Sequence, residues 1–144
     1  MLPKTHVLLG ALFSGLLLLI LKINIISTAI IFFSSFLIDV DHYILYVINK
    51  KDWSLSSSYN LYKNVQRNHK PMMHILHTIE FLIILFIAGF YIPSLMLMFL
   101  GFIFHSNLDI IDLLSKDQLS QREYFFTRYL FKRKSNRYFD FNQF

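Results

Sequence analysis

The chain has 144 residues, of which 55% are hydrophobic and 16% are charged, and it contains no cysteine. This composition is more apolar than that of an ordinary soluble domain. The absence of cysteine excludes a disulfide scaffold and any zinc site or nucleophile that needs a thiolate, so a metal would have to be held by histidine, carboxylate or water. The formal net charge is +5, and the placement of the basic residues is more informative than their sum.

Four long apolar segments follow one another, at residues 7–21, 25–48, 71–91 and 94–114. Each is close to the ~20 residues needed to cross a hydrocarbon core of roughly 30 Å. Backbone at that depth must be helical, so the sequence predicts an all-α, four-helix integral membrane bundle. The first segment follows a basic start and could also be a signal peptide, but no small-residue cleavage site follows it.

Two polar regions accompany these segments. Residues 49–70 contain five basic residues and scattered aromatic residues, which predict a short helix on the bilayer surface. Residues 115–144 contain seven basic residues among nine aromatic ones. That mixture can indicate nucleic-acid binding, but after four spans it favours an amphipathic tail on an anionic membrane surface. We therefore expect a membrane domain over 1–114, a cytoplasmic or interfacial tail over 115–144, membrane lipid as a partner and no nucleic acid.

The basic residues are distributed unequally between the two sides of such a bundle. The start of the chain, the 49–70 loop and the tail would share one side, and together they hold thirteen of the fourteen lysines and arginines. Lys22 is the remaining one. By the positive-inside rule, this asymmetry predicts a multi-pass inner-membrane protein with both termini in the cytoplasm.

All six histidines and several carboxylates fall in the cytoplasmic half of this arrangement. A charged side chain at membrane depth costs roughly 2.5–3.5 kcal/mol on insertion scales, so it usually faces a partner, a cavity or an ion. We therefore expect the four segments to bring these groups together around a metal. The candidate ligands are His6, Asp39, Asp41, His42, His69, His74, His105 and Asp109.

Helix geometry indicates which candidates can meet, because residues three or four apart lie on one face. His105 and Asp109 should present an imidazole and a carboxylate one turn apart, and Asp39 and His42 should also share a face. On a regular helix Asp41 would point about 100° away from His42. It could reach a second metal, support a ligand, or indicate that the helix unwinds locally.

Other polar residues near this level allow more than one interpretation. His74 and His77 would share a helix face, with Glu80 one turn deeper. The pair His77 and Glu80 could be ligands or an interhelical hydrogen-bonded pair. Asp112 would extend the face of the fourth segment or be solvated, whereas Asp117 is expected to be solvated at the helix end.

Imidazole nitrogen and carboxylate oxygen suit zinc, manganese or iron, and we favour zinc. Eight candidates exceed the roughly four to six ligands of one ion, so the sequence favours two adjacent divalent metals, or one metal with a dense layer of supporting residues. Asp41 is then a candidate catalytic base that orients the attacking water, unless it is itself a ligand. Lys70 and Arg67 are candidate contacts for a substrate phosphate.

Four motifs carry a resemblance to a known family: Thr5-His6, Asp39-Val40-Asp41-His42, His69-Lys70-x-x-x-His74 and Gly101-x-x-x-His105-x-x-x-Asp109. In order and spacing they resemble the LexA-regulated, membrane-bound metal-dependent hydrolases (the YdjM-like family). More distantly, the layout is similar to the zinc-dependent phospholipase C and single-strand nuclease group. The resemblance implies a helical, membrane-embedded fold and hydrolysis through a bound metal. The chain departs from the family pattern at five positions: Ile38 replaces Pro, Pro71 replaces Gly, Met73 and Ile75 replace Thr and Ser, and Phe104 replaces Ser.

These observations predict a membrane-embedded metal-dependent hydrolase that acts on a phosphoester, either a lipid or a lipid-linked molecule, at the cytoplasmic face. A divalent metal-ion transporter or channel is the main alternative, because intramembrane histidines and aspartates also mark ion pathways. Such a path needs polar groups through the outer half of the bundle, where the sequence offers few. A non-catalytic membrane scaffold whose tail recruits partners is the third possibility.

Overall fold

The computed structural model describes residues 3–64, 70–132 and 138. Within them the chain is mostly helical, which confirms the all-α class. The elements are α1 (Pro3–Leu21), α2 (Ile25–Leu37), α3 (Val40–Lys50), α4 (Leu55–Asn64), β1 (Met72–Met73), α5 (Ile79–Gly89), α6 (Pro93–Ser115), β2 (Arg122–Glu123) and α7 (Phe126–Lys132). Two 3-10 turns, Ile75–His77 and Leu119–Gln121, precede α5 and β2.

Three stretches of the described chain are long and apolar enough to cross a membrane: Lys4–Leu21, Ile25–Lys50 and Pro93–Ser115. The third predicted segment, 71–91, is represented by α5, which is apolar but has 11 residues. Large apolar side chains are exposed along α1 and α2, among them Leu8, Leu12, Leu16, Leu19, Ile20, Ile25 and Ile26. In water such a surface would be unfavourable, so the exposed apolar faces are consistent with a membrane protein.

Helix α6 lies at the centre of the bundle and packs against α2, α5 and α1. Its close approach to α2 depends on Gly101, where a Cβ atom would lie 2.7 Å from the carbonyl oxygen of Ile31. On its other side, Phe102 packs with Ile38 and Leu85 in a buried apolar cluster. The bundle therefore fixes the position of α6, whose following turns carry two of the candidate ligands.

The second apolar segment is divided by a turn between α2 and α3. There the N–H of Asp39 donates to the carbonyl of Phe36 (3.2 Å), and the N–H of Asp41 donates to the carbonyl of Ile38 (3.4 Å). These three-residue spacings are tighter than those of an α-helix. Local unwinding, one of the three possibilities for Asp41, is what the structure contains.

The prediction that the third helix begins at Pro71 is wrong. Residues 70–78 contain β1 and a 3-10 turn, and the helix begins at Ile79 behind Thr78, whose hydroxyl accepts the N–H of Phe81 at 3.4 Å. β1 pairs in parallel with β2, placing Met72 opposite Arg122 and the following residue opposite Glu123. This ladder stabilises extended backbone where the apolar sequence alone suggested a helix.

The two predicted polar regions each contain a short helix, α4 in the loop and α7 in the tail. The tail is attached to the bundle through Glu80, whose carboxylate accepts the N–H groups of Phe126 (3.0 Å) and Thr127 (3.1 Å) and the hydroxyl of Thr127 (2.8 Å). The start of α7 is thereby held next to the start of α5. The location of both short helices on a membrane surface stays a prediction.

Candidate metal centre

Side chains from α1, the α2–α3 turn, the start of α3, the 70–78 segment and α6 converge at one end of the bundle. Six of the eight are buried, and the other two are partly buried. They are His6, Asp39, Asp41, His42, His74, His77, His105 and Asp109. The structure therefore brings together seven of the eight predicted ligands and adds His77, whose role the sequence left open.

The first group consists of Asp39, His77, His105 and Asp109, whose candidate ligand atoms all lie within 4.8 Å of one another. The Nε2 atom of His105 is 3.3 Å from Oδ1 of Asp39 and 3.3 Å from Oδ2 of Asp109. The Nε2 atom of His77 is 3.7 and 3.8 Å from the same two oxygens. Two carboxylates and two imidazoles thus face a common space and could hold a metal ion.

The second group consists of Asp41, His42 and His74, again with candidate ligand atoms within 4.8 Å of one another. Oδ1 of Asp41 lies 4.0 Å from Nε2 of His42 and 3.9 Å from Nδ1 of His74. The two imidazole rings stack with centroids 3.7 Å apart. This group also could hold a metal ion, with fewer protein ligands.

Two residues connect the groups. Oδ1 of Asp39, which belongs to the first group, is also 3.4 Å from Nε2 of His42 in the second. His77 directs Nε2 towards the first group, while its Nδ1 lies 3.1 Å from Oδ2 of Asp41. A carboxylate shared between neighbouring ligand sets is typical of two-metal sites, in which the ions lie roughly 3.5–4 Å apart.

Unpaired polar atoms provide an independent indication that the site suits a cation. In the described part of the chain, six buried side-chain polar atoms lack a hydrogen-bond partner, and five of them belong to this cluster. The five are Nδ1 of His6, Oδ1 of Asp41, Nδ1 of His74, Nε2 of His77 and Nε2 of His105. Burying such atoms without a partner is costly, and a bound metal would remove that cost.

The orientation of His105 is fixed by the backbone of α2. Its Nδ1 lies 2.8 Å from the carbonyl oxygen of Ser35, so that nitrogen carries the proton and donates it. In the neutral ring the lone pair is then on Nε2, the atom that faces Asp39 and Asp109. Metal-binding histidines are commonly oriented in this way by a carbonyl behind the ring.

His74 and His77 lie outside the helices that are long enough to cross a membrane, and both are buried. Burial lowers the pKa of His74 well below its ordinary value, and the neighbouring His42 imidazole acts in the same direction. Burial also lowers the pKa of His77, and the positive charge of Arg122 adds to the effect. Both imidazoles are therefore neutral near pH 7, which is the form that binds metals.

His6 lies beside the first group rather than within it. Its Nε2 is 3.1 Å from Oδ1 of Asp109, and its ring stacks on that of His105 with centroids 4.0 Å apart. These contacts suit a residue that orients a ligand carboxylate. The predicted ligand role of His6 stays a prediction, and the geometry favours support of Asp109.

Sequence reasoning missed Arg122, whose Nη2 lies 2.6 Å from Oδ2 of Asp109. The basic-aromatic composition of the tail gave no reason to single out this residue. Glu80, by contrast, forms its hydrogen bonds with α7, so the proposed His77–Glu80 pair is not formed. Asp112 forms an ion pair with Lys116, away from the ligand groups.

The remaining predicted residues are not part of the described cluster. Lys70 is exposed just before β1. His69 and Arg67 lie outside the described residues, so their predicted roles in metal and phosphate binding stay predictions.

Fold and site together define the class: an apolar helical bundle with a buried cluster of histidines and aspartates that could hold one or two metal ions. No protein-family model matches the chain, and neither a curated protein nor a solved structure is detectably similar to it. The resemblance to the membrane-bound hydrolases therefore depends on the four motifs alone. What the protein does has to be argued from the site.

Proposed function

We propose that this protein is a membrane-embedded metal-dependent hydrolase that cleaves a phosphoester of a lipid or lipid-linked molecule at the cytoplasmic face of the membrane. The observation that carries the proposal is that five buried nitrogen and oxygen atoms of this one cluster lack a hydrogen-bond partner within the described residues. A purely structural cluster would pair these atoms with one another or with the backbone.

In this proposal the first group holds one divalent ion and the second group holds another, with Asp39 between them. Nitrogen and oxygen donors without thiolates suit zinc, which we favour, as well as manganese or iron. When bound, such ions supply Lewis-acid stabilisation of phosphoryl oxygens and lower the pKa of a water molecule. The protein contributes the fixed orientation of the imidazoles, through Ser35 behind His105 and Asp41 behind His77.

Asp41 remains the candidate base. Its Oδ2 accepts the N–H of Leu76 at 3.0 Å and contacts Nδ1 of His77 at 3.1 Å, whereas its Oδ1 has no hydrogen-bond partner. The carboxylate is thus held by one oxygen and presents the other to the cluster. That second oxygen is placed either to coordinate an ion or to accept a proton from water.

Formal charge favours an anionic substrate. The three aspartates of the cluster and Arg122 together carry a charge of −2, and the buried histidines next to them bind metals in the neutral form. Two divalent ions would bring the total to +2, which attracts a phosphate group more strongly than a neutral ester. Lys70 and Arg67 remain proposed contacts for that phosphate.

The surroundings of the cluster favour a lipid or lipid-linked substrate. Val40 lies between Asp39 and Asp41 in sequence, and Ile75 directly follows His74, yet both apolar side chains are exposed. Apolar side chains next to the ligands provide a surface on which an acyl or prenyl chain could lie.

A metal-ion transporter, the alternative function, would need polar groups along the bundle. In the outer half, the hydroxyl of Ser14 donates to the carbonyl of Ala11 at 3.3 Å, and that of Thr28 donates to the carbonyl of Asn24 at 3.1 Å. Both hydroxyls are satisfied within or at the start of their own helices. This pattern favours a site that opens at one end over a path through the bundle.

Elemental analysis of the purified protein tests the proposal. We expect about one to two divalent ions per chain in the wild type and a loss of most of this metal in His105→Ala and Asp109→Ala. Asp117→Asn, which changes an exposed carboxylate at the end of α6, is the matched control and should keep the metal. A wild type that binds no metal would favour the scaffold.

Turnover is tested on the same preparations with a phosphomonoester, a phosphodiester and phospholipid vesicles, beside a metal-flux assay in proteoliposomes. Metal-dependent cleavage that disappears in His105→Ala is the expected result. Metal-dependent flux without cleavage would instead favour the transporter.

A further inference from the structure

Arg122 is placed at the cluster of histidines and aspartates by the short parallel ladder between β1 and β2. In that ladder Arg122 is paired with Met72, and the next pair, Met73 with Glu123, immediately precedes His74. One pair of strands therefore positions both a candidate ligand and a guanidinium. The side chain of Arg122 is 9% exposed, so it is directed into the protein although it belongs to the tail.

The residues that follow Arg122 are anchored on both sides. The buried carboxylate of Glu123 pairs with Nε of Arg128 at 3.1 Å and accepts the hydroxyl of Tyr138 at 2.9 Å. The carbonyl of Tyr124 accepts the N–H of Ile79 at 3.0 Å. Arg122 is consequently held in place by its neighbours and does not depend on its own ion pair for position.

Most of the hydrogen-bonding capacity of this guanidinium is unused. Arginine has five N–H donors, and the contact with Asp109 uses Nη2. Within the described residues no second hydrogen-bond partner of Arg122 is present. Its other nitrogen atoms are not among the fully buried unpaired atoms, so they reach space that is accessible to solvent. These remaining N–H donors are thus partly accessible to solvent.

A cation beside a metal site is unfavourable unless an anion lies between the two charges. Asp109 is shared between the first ligand group and Arg122, and a metal on Asp109 would weaken its attraction to the guanidinium. We propose that Arg122 is the residue that binds the phosphoryl group of the substrate, with its free N–H donors on the non-bridging oxygens. This inference rests on the proposed function and adds to it the residue that recognises the phosphate.

The planar fork of arginine matches two phosphate oxygens, which the ammonium of lysine does not. Arg122→Lys should therefore bind phosphate more weakly than the wild type does, even though the charge is retained. Lys116 provides the matched control, because it is a cation of the same region that pairs with Asp112 and does not contact the ligands.

The test measures binding of inorganic phosphate by titration calorimetry to the detergent-solubilised full chain loaded with Mn²⁺. We expect Arg122→Gln to weaken phosphate binding by at least ~10-fold and Arg122→Lys to weaken it by roughly 3- to 10-fold. Lys116→Gln should bind phosphate as the wild type does. Affinity for Mn²⁺ should be equal or higher in Arg122→Gln, because Oδ2 of Asp109 is then released from the guanidinium.

The outcomes separate this inference from the proposed function. Mn²⁺ binding with unchanged phosphate affinity in Arg122→Gln, or with no phosphate binding by the wild type, would overturn the role of Arg122 alone. A weaker affinity for Mn²⁺ in that variant would assign Arg122 to support of Asp109 and also overturn the inference. If Arg122→Gln does not fold, Arg122→Lys decides by the same comparison. A wild type without Mn²⁺ binding would overturn both proposals.

Discussion

The apolar bundle and the layer that holds the cluster of histidines and aspartates are built in opposite ways. The bundle consists of α1, α2, α5 and the first half of α6, which are regular helices with apolar outer faces. The cluster layer contains the α2–α3 turn, the start of α3, the 70–78 segment and β2, together with His6 from α1 and with His105 and Asp109 from α6. In this layer regular helix ends, and the strands are two residues long. In the bundle the hydroxyls bond to nearby carbonyls of the same segment, whereas in the described cluster layer five buried polar atoms have no partner.

This difference separates the part of the protein that provides stability from the part that could hold a cation. Because its backbone hydrogen bonds lie within helices and its apolar faces pack together, the bundle is expected to be stable without any ligand. The cluster layer departs from the helix in order to direct imidazoles and carboxylates from four parts of the chain to one place. A layer with unpaired buried polar atoms is expected to depend on a bound cation for much of its stability.

The largest effect is expected from Asp39→Asn, because Oδ1 of Asp39 lies within 3.7 Å of imidazole nitrogens in both ligand groups. The amide removes a charge that both ions would share, so metal affinity should fall by more than ~100-fold, beyond the range for supporting residues. Titration with Mn²⁺ or Zn²⁺ measures it. Asp117→Asn is the control, since that exposed residue has φ of 55°, which asparagine tolerates.

If Asp39→Asn lost one ion and bound the other with wild-type affinity, Asp39 would belong to a single group. The two-metal interpretation would then lose its connecting residue. The comparison between bundle and cluster layer would survive, but the cluster would consist of two independent sites.

A smaller effect on the bundle itself is expected from Gly101→Ala. The added methyl would lie 2.7 Å from the carbonyl oxygen of Ile31, so α6 and α2 must separate, at a cost of about 1–3 kcal/mol. Gly15→Ala is the matched control, because a methyl added there would meet nothing within 4 Å, and alanine should stabilise α1 by roughly 0.5–1 kcal/mol. Thermal unfolding in detergent, followed by circular dichroism, measures both.

Equal stability of the two glycine variants would mean that α6 is not pressed against α2. The position of His105 would then have to be set by the cluster rather than by the bundle. In that case the cluster layer would position α6, whereas we expect the bundle to position α6 and with it the cluster layer.

The sequence predicted the bundle well because its signals are local. Apolar length predicted four membrane-crossing segments, and three of them are long and apolar enough in the structure, whereas the third contains the shorter helix α5. Helical periodicity placed His105 and Asp109 on one face, as the structure has them. The alternation of direction between segments placed His6 at the same end. These inferences needed only the hydrophobicity and spacing of each segment.

The cluster layer was less predictable because its contacts are not local. The ladder between β1 and β2 joins residues fifty positions apart through strands of two residues, too short for a recognisable alternating pattern. Pro71 and the apolar residues after it fit a helix equally well in isolation. Arg122 could not be separated from the other basic residues of the tail without that ladder.

The pH dependence of the metal-free protein should report on the cluster layer. Burial lowers the pKa of His74 and His77, so below about pH 6.5 the unfolded chain takes up protons that the folded chain does not. Stability therefore falls as the pH decreases from 7 to 5. His74→Gln removes one such group and should reduce the slope by up to about 1.4 kcal/mol per pH unit.

Unfolding of the wild type and His74→Gln is compared in EDTA at pH 5, 6, 7 and 8, with the values at pH 8 as the common baseline. Parallel pH profiles for the two proteins would mean that His74 takes up its proton in the folded state as well. The imidazole would then be accessible and charged, contrary to its place among the buried ligands.

The smallest effect is expected from Glu80→Gln, which tests whether the tail can loosen while the bundle stays intact. The carboxylate accepts two N–H groups and a hydroxyl at the start of α7, and an amide cannot accept all three because its nitrogen is a donor. Amide exchange at Phe126 and Thr127 should become roughly 10-fold faster while exchange in α1 and α2 is unchanged. Equal acceleration in all of these helices would show that the tail contact is part of the cooperative unit of the bundle. Acceleration confined to α7, with weaker phosphate binding, would show instead that Glu80 acts by holding the segment that carries Arg122.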